Sequence, residues 1–476
     1  MKILITGYFF FLASLGFCQL RDKNWCFSDS CGITFSDSSA TFSPSVLTGY
    51  LSDDWAECNA SISDENGNLL FYTNGVYVWD RNNELMPDGT GLYSNISVTQ
   101  GALIIPKPLD STHYYIFTLY QHPDYHGLYY STIDMNLNNG YGDIVPGSKN
   151  KKLDTINIAE KLTAVRHANG RDWWVIHQEL HTNRYYIYLV SPDTIVLSSV
   201  QEIGTSIFHC CDYGETNFSQ DGQKLVSAAY PGTINLFDFD RCTGMISNFI
   251  DLSDDDEPST YGDSFSPDGS KLYVSSFKNL YQFDLSAPNI LLSKQLIWEN
   301  PYYDTDVSSG YGLEQHQLGP DGKIYFVLAN MTPTIVDTFI DESLCVINKP
   351  NELGAACNFV PDQFYLEGKY AGAGLPNSPN YNLGAVLGSN CDTLFNSAQS
   401  VERYVEPFLF PNPAKDYIML HTIKLHSMIK VFNFIGKKVI QVTAENQNMS
   451  IDISSLSNGI YIVTIDSLTM GKFIKQ

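Results

Sequence analysis

A turn followed by an alternating strand recurs along this chain about every fifty residues, and this spacing limits the possible folds more than any other feature. It is plainest in "NFSQDGQKLVSAA" from Asn217, "SFSPDGSKLYVSS" from Ser264 and "QLGPDGKIYFVLA" from Gln317. Related stretches begin at Ser61 ("SISDENGNLLFYTNG"), Pro106 ("PKPLDSTHYYIFT") and Arg166 ("RHANGRDWWVIH"). With Gly67, Thr112, Gly170, Gly222, Gly269 and Gly322 as markers, the gaps are 45, 58, 52, 47 and 53 residues. Uneven spacing of this size is what four-stranded units give when their loops vary in length. After each strand comes a second one with alternating aromatics, such as "RYYIYLVSP" or "INLFDFDRCTG", running into Asp, Asn or Pro turns. An antiparallel sheet of this kind cannot bury both faces alone, and radial packing of such sheets covers them. The expected fold is all-β: a β-propeller over 19–388 with WD40-like repeats, with seven blades and six or eight as alternatives. Leftover segments at the two ends, "NWCFSDSCGITF" from Asn24 and "AGAGLPNSPNYNLGAVLG" from Ala371, are expected to join in one composite seventh blade. Asp221, Asp268 and Asp321 then read as turn residues, since Asp caps such turns and Gly supplies a positive φ.

The first eighteen residues have the form of a secretory signal: Lys2, then the apolar "ILITGYFFFLASLGF", then small residues before a cut between Cys18 and Gln19. A lipid anchor on Cys18 is the competing reading, and the bulky Phe17 argues against it. No later apolar stretch is long enough to span a bilayer. The formal net charge of −24 argues against nucleic acid and against anionic membranes as partners.

Nine cysteines follow the expected cut, so in an oxidising compartment they are disulfide candidates with at least one left over. The expected pairs are Cys345 with Cys357, and Cys242 with Cys210 or Cys211. A metal reading of His209–Cys211 lacks a second ligand cluster. Residues 389–406 read as a linker, and 407–476 as a small β-sandwich of strands separated by Asn, Gly and Pro turns.

This tail resembles the type A C-terminal sorting domain of the type IX secretion system of Bacteroidetes-type bacteria. The resemblance rests on "FPNPAKDYI" from Phe410, "KVFNFIGKKV" from Lys430, "IDISSLSNGIYIV" from Ile451 and the closing "KFIK". It marks Pro411, Asn412, Pro413, Gly436, Gly459, Tyr461 and Lys472 as sorting-signal positions. It implies the secretion machinery as a partner and delivery to the cell surface or the extracellular space, usually with loss of the tail. Residues 24–380 resemble large surface propellers of the same bacteria, on "NWCFSDSCGITF", "ASISDENGNLLFYTNG", "EKLTAVRHANGRDWWVIH", "FDFDRCTG" and "LCVINKPNELGAACNF" followed by "GLPN". Cys26 and Cys31 depart from that pattern and are a further candidate pair.

Local signatures of chemistry are weak. His177 and His181 in "HQELH" do not follow the zinc-protease spacing, and the acidic run "DLSDDDEPS" from Asp251 lacks calcium-loop spacing. There is no Gly-x-Ser-x-Gly elbow and no phosphate-binding loop. Trp173 and Trp174 are expected in the core. No catalytic, metal or cofactor-binding residue is assigned and no cofactor is implied. The expected function is an exported module that binds a protein or glycan through loops at the blade tops. The alternative is a hydrolase or lyase acting on polysaccharide or peptide at the central funnel, which would require carboxylates or histidines clustered there.

Overall fold

The computed structural model describes residues 20–28, 30–36, 38–46, 57–122, 125–206, 213–230, 232–253, 260–304, 309–330, 342–392, 409–420, 426–434, 436–446, 449–465 and 468–476. The chain divides into two compact units, Met1–Asp392 and Thr393–Gln476. Among the described residues there is no α-helix, and no helix is long and apolar enough to cross a membrane.

The first unit holds seven antiparallel sheets among the described residues, in chain order: 24–42, 60–90, 102–152, 158–202, 216–251, 260–299 and 303–365. They are called the first to seventh sheets below. Each is a meander of sequential strands, so ladder hydrogen bonding is local; neighbouring sheets meet through side chains and through single backbone bonds such as Leu313 N to the Phe277 carbonyl at 3.0 Å. Every gap between neighbours is filled. Cys26 of the first sheet meets Tyr72 and Trp79 of the second, and one cluster joins the second, third and fourth. Trp174 and Tyr185 meet Leu225 and Phe237 between the fourth and fifth. Further clusters join the fifth to the sixth and the sixth to the seventh. Trp25 and Phe35 then pack edge-on against Tyr325 at 5.7 and 5.6 Å, joining the seventh sheet to the first. The sheets form a closed ring, a β-propeller.

This packing removes the one-sided burial that an alternating strand after each turn implies. Lys271–Ser276 is buried at every position, because neighbouring sheets cover both of its faces. Its serines are accommodated by hydrogen bonds, Ser275 Oγ donating to the Glu314 carbonyl at 3.1 Å. Solvent reaches the last strands instead, as in Met245–Asp251 of the fifth sheet, where six of seven residues are exposed. The repeated turns are as expected. Asp268 Oδ1 accepts from Ser270 N at 2.9 Å and Ser266 Oγ at 2.8 Å, and Gly269 has φ 70°. Asp221 and Asp321 accept from Gln223 N and Lys323 N in the same way.

The composite blade is not formed. The N-terminal strands make their own three-stranded sheet, and 371–392 join no sheet. That segment is a strap through the ring. Ala371, Ala373 and Leu375 fill the gap between the seventh and first sheets. Gly374 then passes so close to the second sheet that a Cβ would lie 2.3 Å from the Glu57 carbonyl oxygen. Asn377 accounts for the next step. Its N–H donates to the Asn59 carbonyl at 2.8 Å, and its side chain donates to those of Ala102 and Leu162 at 3.1 and 2.8 Å, tying three sheets at one point. Tyr381 donates to the Ile104 carbonyl at 2.7 Å and Val386 N to that of Ala168 at 2.8 Å.

The strap also changes the disulfides. Cys242 is bonded to Cys391 at its end, not to Cys210 or Cys211, which lie outside the described residues. Cys345 and Cys357 are buried free thiols. Cys357 O accepts from Lys349 N, so Cys357 sits opposite a residue four positions beyond Cys345, roughly 13 Å along the strand and out of bridging range. Cys26 and Cys31 are not bonded to each other; they pair with Gly32 and Phe27, so their side chains point to opposite faces.

The second unit packs a three-stranded sheet on a four-stranded one, with Ile418, Leu420 and Ile451 facing Ile429, Val431, Val463 and Phe473. Here one face of each sheet is open and alternation survives, as in Gly459–Ile465.

Candidate functional site

The first strands of the sheets begin at one end of the ring, the upper face, and the turns between second and third strands lie there too. The Asp-Gly turns lie at the lower face. Polar residues at the upper ends of the first strands converge on the axis. Tyr261 of the sixth sheet donates to Glu57 Oε2, beside the second, at 2.5 Å. Gln315 of the seventh donates to the Thr99 carbonyl, beside the third, at 2.5 Å. Gln100 Oε1 accepts from Thr216 N of the fifth at 2.9 Å. These bonds span the hole of the ring.

Five carboxyls and one ammonium meet in this zone: Glu57, Glu160, Glu215, Asp263, Glu314 and Lys161. All are buried except Glu160, which is partly exposed. Lys161 donates to the carbonyls of Glu215 at 3.0 Å and of Ala228. Glu215 Oε2 accepts from Asp263 N and His316 N, each at 3.2 Å. Glu314 Oε2 is buried with no partner. Burial, and then the charge of Glu160, push the Glu57 carboxyl up to about 8. Burial pushes Asp263 up to about 7, and Glu215 and Glu314 well above the carboxylate range, with Asp263 and Glu57 as their second causes. His316 is driven down to about 3 by burial.

Proton counting supports a protonated Glu57. Thr99 Oγ1 lies 2.8 Å from Glu57 Oε2 and 3.0 Å from Glu160 Oε2, and Tyr261 also reaches Glu57. Thr99 Oγ1 also lies 3.0 Å from the Tyr261 hydroxyl, so two hydroxyl hydrogens face four oxygen–oxygen contacts, and a proton held by Glu57 supplies a third.

Beside this network runs a ledge of aromatic rings on the upper face. Tyr213 stacks on Tyr230 at 5.0 Å, Tyr230 on Phe277 at 6.4 Å, and Phe277 meets Tyr303 at 6.0 Å. Tyr261 touches both Tyr213 and Phe277, at 5.9 Å each, and so joins the ledge to the carboxyls. Tyr213, Tyr230 and Tyr303 are partly exposed. Carboxyls therefore cluster at the axis, the arrangement that the hydrolase alternative requires. Among the described residues, however, no group of three His, Cys, Asp or Glu could hold a metal.

Other positions singled out from the sequence lie elsewhere. His177 is buried within a strand, bonded to Asp154 Oδ2 at 2.9 Å and stacked on Tyr186. His181 sits in the following turn. Trp173 and Trp174 are core, the latter donating to the Arg241 carbonyl at 2.7 Å. Residues 254–259 of the acidic run are outside the described residues. In the tail, Asn412 donates to the Lys472 carbonyl and accepts from Ile474 N, each at 3.0 Å, stitching Pro411–Pro413 to the last strand. Gly436 takes φ 79° in a turn, Gly459 opens the strand carrying Tyr461, and Tyr461 stacks on Phe473 at 5.3 Å.

The upper-face residues were missed in the sequence because they share no motif. A signal was present: Tyr230 and Phe277 stand 47 residues apart, the same interval as Gly222 and Gly269.

No curated protein matches the chain. Among solved structures, PorZ, an essential surface component of the type-IX secretion system of Porphyromonas gingivalis, is 10% identical over 94% of this chain, with a TM-score of 0.35, and the chain spans 62% of the length of PorZ. A putative 6-phosphogluconolactonase from Bacteroides uniformis is 11% identical, covering 80% of this chain and 96% of that one, with a TM-score of 0.35. The Swd1 β-propeller domain of Myceliophteria thermophila is 11% identical, covering 64% and 92%, with a TM-score of 0.36. Residues 408–476 match the family described as the secretion system C-terminal sorting domain. The propeller therefore carries a type IX sorting domain, which engages the secretion machinery and directs export to the cell surface or the extracellular space.

Proposed function

We propose that the exported propeller is a binding module that holds a glycan at the upper end of its axis. The observation that carries this reading is the partly exposed ledge of Tyr213, Tyr230 and Tyr303 beside a network of carboxyls and hydroxyls. Aromatic faces cover the C–H faces of sugar rings, while polar groups at their edge take the hydroxyls. The acidic chain favours neutral or amino sugars over anionic polymers. Residues 1–18 act as the signal peptide, 19–388 as the passenger, 389–406 as the linker and 407–476 as the signal for the outer-membrane step. A glycan array with the passenger, followed by titration of the best ligand, tests the reading. Tyr230→Ala should weaken binding by roughly tenfold or more. Unchanged affinity in Tyr230→Ala and Tyr303→Ala would sink it.

A hydrolase is the second reading, favoured by the shared proton of Glu57 beside Glu160. Release of reducing ends from the bound glycan, lost in Glu160→Gln with binding retained, would select it over the binding module.

A further inference from the structure

The lower face holds a cavity of about 660 Å³, the size of small-ligand sites in general, and it is separate from the aromatic ledge. Residues 20–23, the Asp-Gly turns of the sixth and seventh sheets and strap residues 378–382 enclose it. Much of its lining is amide and hydroxyl. Asn380 donates to the Gln220 carbonyl at 2.8 Å and to Gln220 Oε1 at 3.0 Å, and Gln317 donates to the Ser378 carbonyl at 3.3 Å. Ser378 Oγ is buried with no partner.

Two charges of opposite sign line the same cavity, Asp22 and Lys23. Asp22 accepts only from its own backbone N–H, and burial pushes its carboxyl up to about 6. Lys23 has no anionic partner among the described residues. Its stem is held against the turn at Gly67, where a Cβ would fall 2.3 Å from Lys23 Cδ. The two residues sit in the turn that closes with Lys23 N donating to the Leu20 carbonyl at 3.1 Å, and no ion pair joins them. A carboxylate and an ammonium, each without a side-chain counter-charge among the described residues and set among amides and proline rings, are complementary to a molecule with an ammonium at one end, a carboxylate at the other and amides between.

We propose that this cavity binds short peptides with both termini free, the amino end on Asp22 and the carboxyl end on Lys23. The volume suits chains of about two to four residues. Neutral amides of the lining take the peptide groups, so side-chain preference is weak.

The test uses the mature full-length protein immobilised and three pools of random tripeptides: free at both ends, N-acetylated, and C-amidated. Retained peptides are read by mass spectrometry. Peptides from the free pool should be retained at least about tenfold more than from either capped pool. Asp22→Asn should abolish discrimination against acetylation while keeping that against amidation, and Lys23→Met should do the reverse. The capped pools probe the unaltered protein, so the outcome does not depend on how well the variants fold. No retention from the free pool, or equal retention from all three, overturns the proposal. Tyr230→Ala should leave peptide retention unchanged, which separates this site from the upper one.

Discussion

The two ends of the propeller axis handle buried charge in opposite ways. At the upper end, carboxyls outnumber ammonium groups and are accommodated by protons and by hydrogen bonds from facing sheets. At the lower end, Asp22 and Lys23 line a cavity with no ion-pair partner among the described residues. A proton-sharing network makes the upper end rigid and sensitive to pH. Unsatisfied charges make the lower end receptive to a ligand. The strap runs from one end to the other, so perturbing it separates them.

Gly374→Leu should have the largest effect. The Cβ clash with the Glu57 carbonyl cannot be relieved without moving the strap or the second sheet, so a loss of about 3–5 kcal/mol, or failure to fold, is expected in denaturant titration. Cys391→Ser should cost about 2–4 kcal/mol, because the bond to Cys242 closes a long loop. It should also uncouple the ends, with tripeptide retention falling and glycan binding staying. Equal loss at both ends would break the comparison. Thr99→Val removes one hydroxyl that serves two carboxyls and should cost about 1–3 kcal/mol in the same titration.

The smallest signal is a slope with pH. Folded Glu57 and Asp263 hold their protons up to about pH 8 and 7, while in the unfolded chain carboxyls release them near about 4. The folded state therefore binds more protons in that window. The contribution of these two carboxyls to stability is fully present below about pH 4 and is lost as pH rises through about 8. Melting temperature measured from pH 5 to 8 should fall, and Glu57→Gln should flatten the slope. Asp22→Asn, whose carboxyl is raised only to about 6, should change it mainly below neutrality.

The architecture was readable because its signals are local. Asp221, Asp268 and Asp321 make the same turn three times, and their spacing gives the repeat. What depends on ring closure was not readable. Glu57, Thr99, Tyr261 and Glu314 lie on different sheets and meet only because the ring brings the first strands together. The strap was misread as half a blade because "GLPNSPNYNLG" gives no sign that Asn377 will bond three sheets. Cys391 found Cys242 across 149 residues of sequence for the same reason.

The packing of the first sheet against the seventh has a consequence for delivery. Each sheet is a meander of neighbouring strands, so each can assemble from sequence already at hand as the chain emerges from a pore. The contact of Trp25 and Phe35 with Tyr325, the strap behind it and the bonds across the hole of the ring join distant parts of the chain. Completion of the propeller is thereby tied to the arrival of residues 325–391, the last stretch before the sorting tail. A chain cut short before residue 325 would lack both Tyr325 and the strap, and its first sheet would have no seventh sheet to close on.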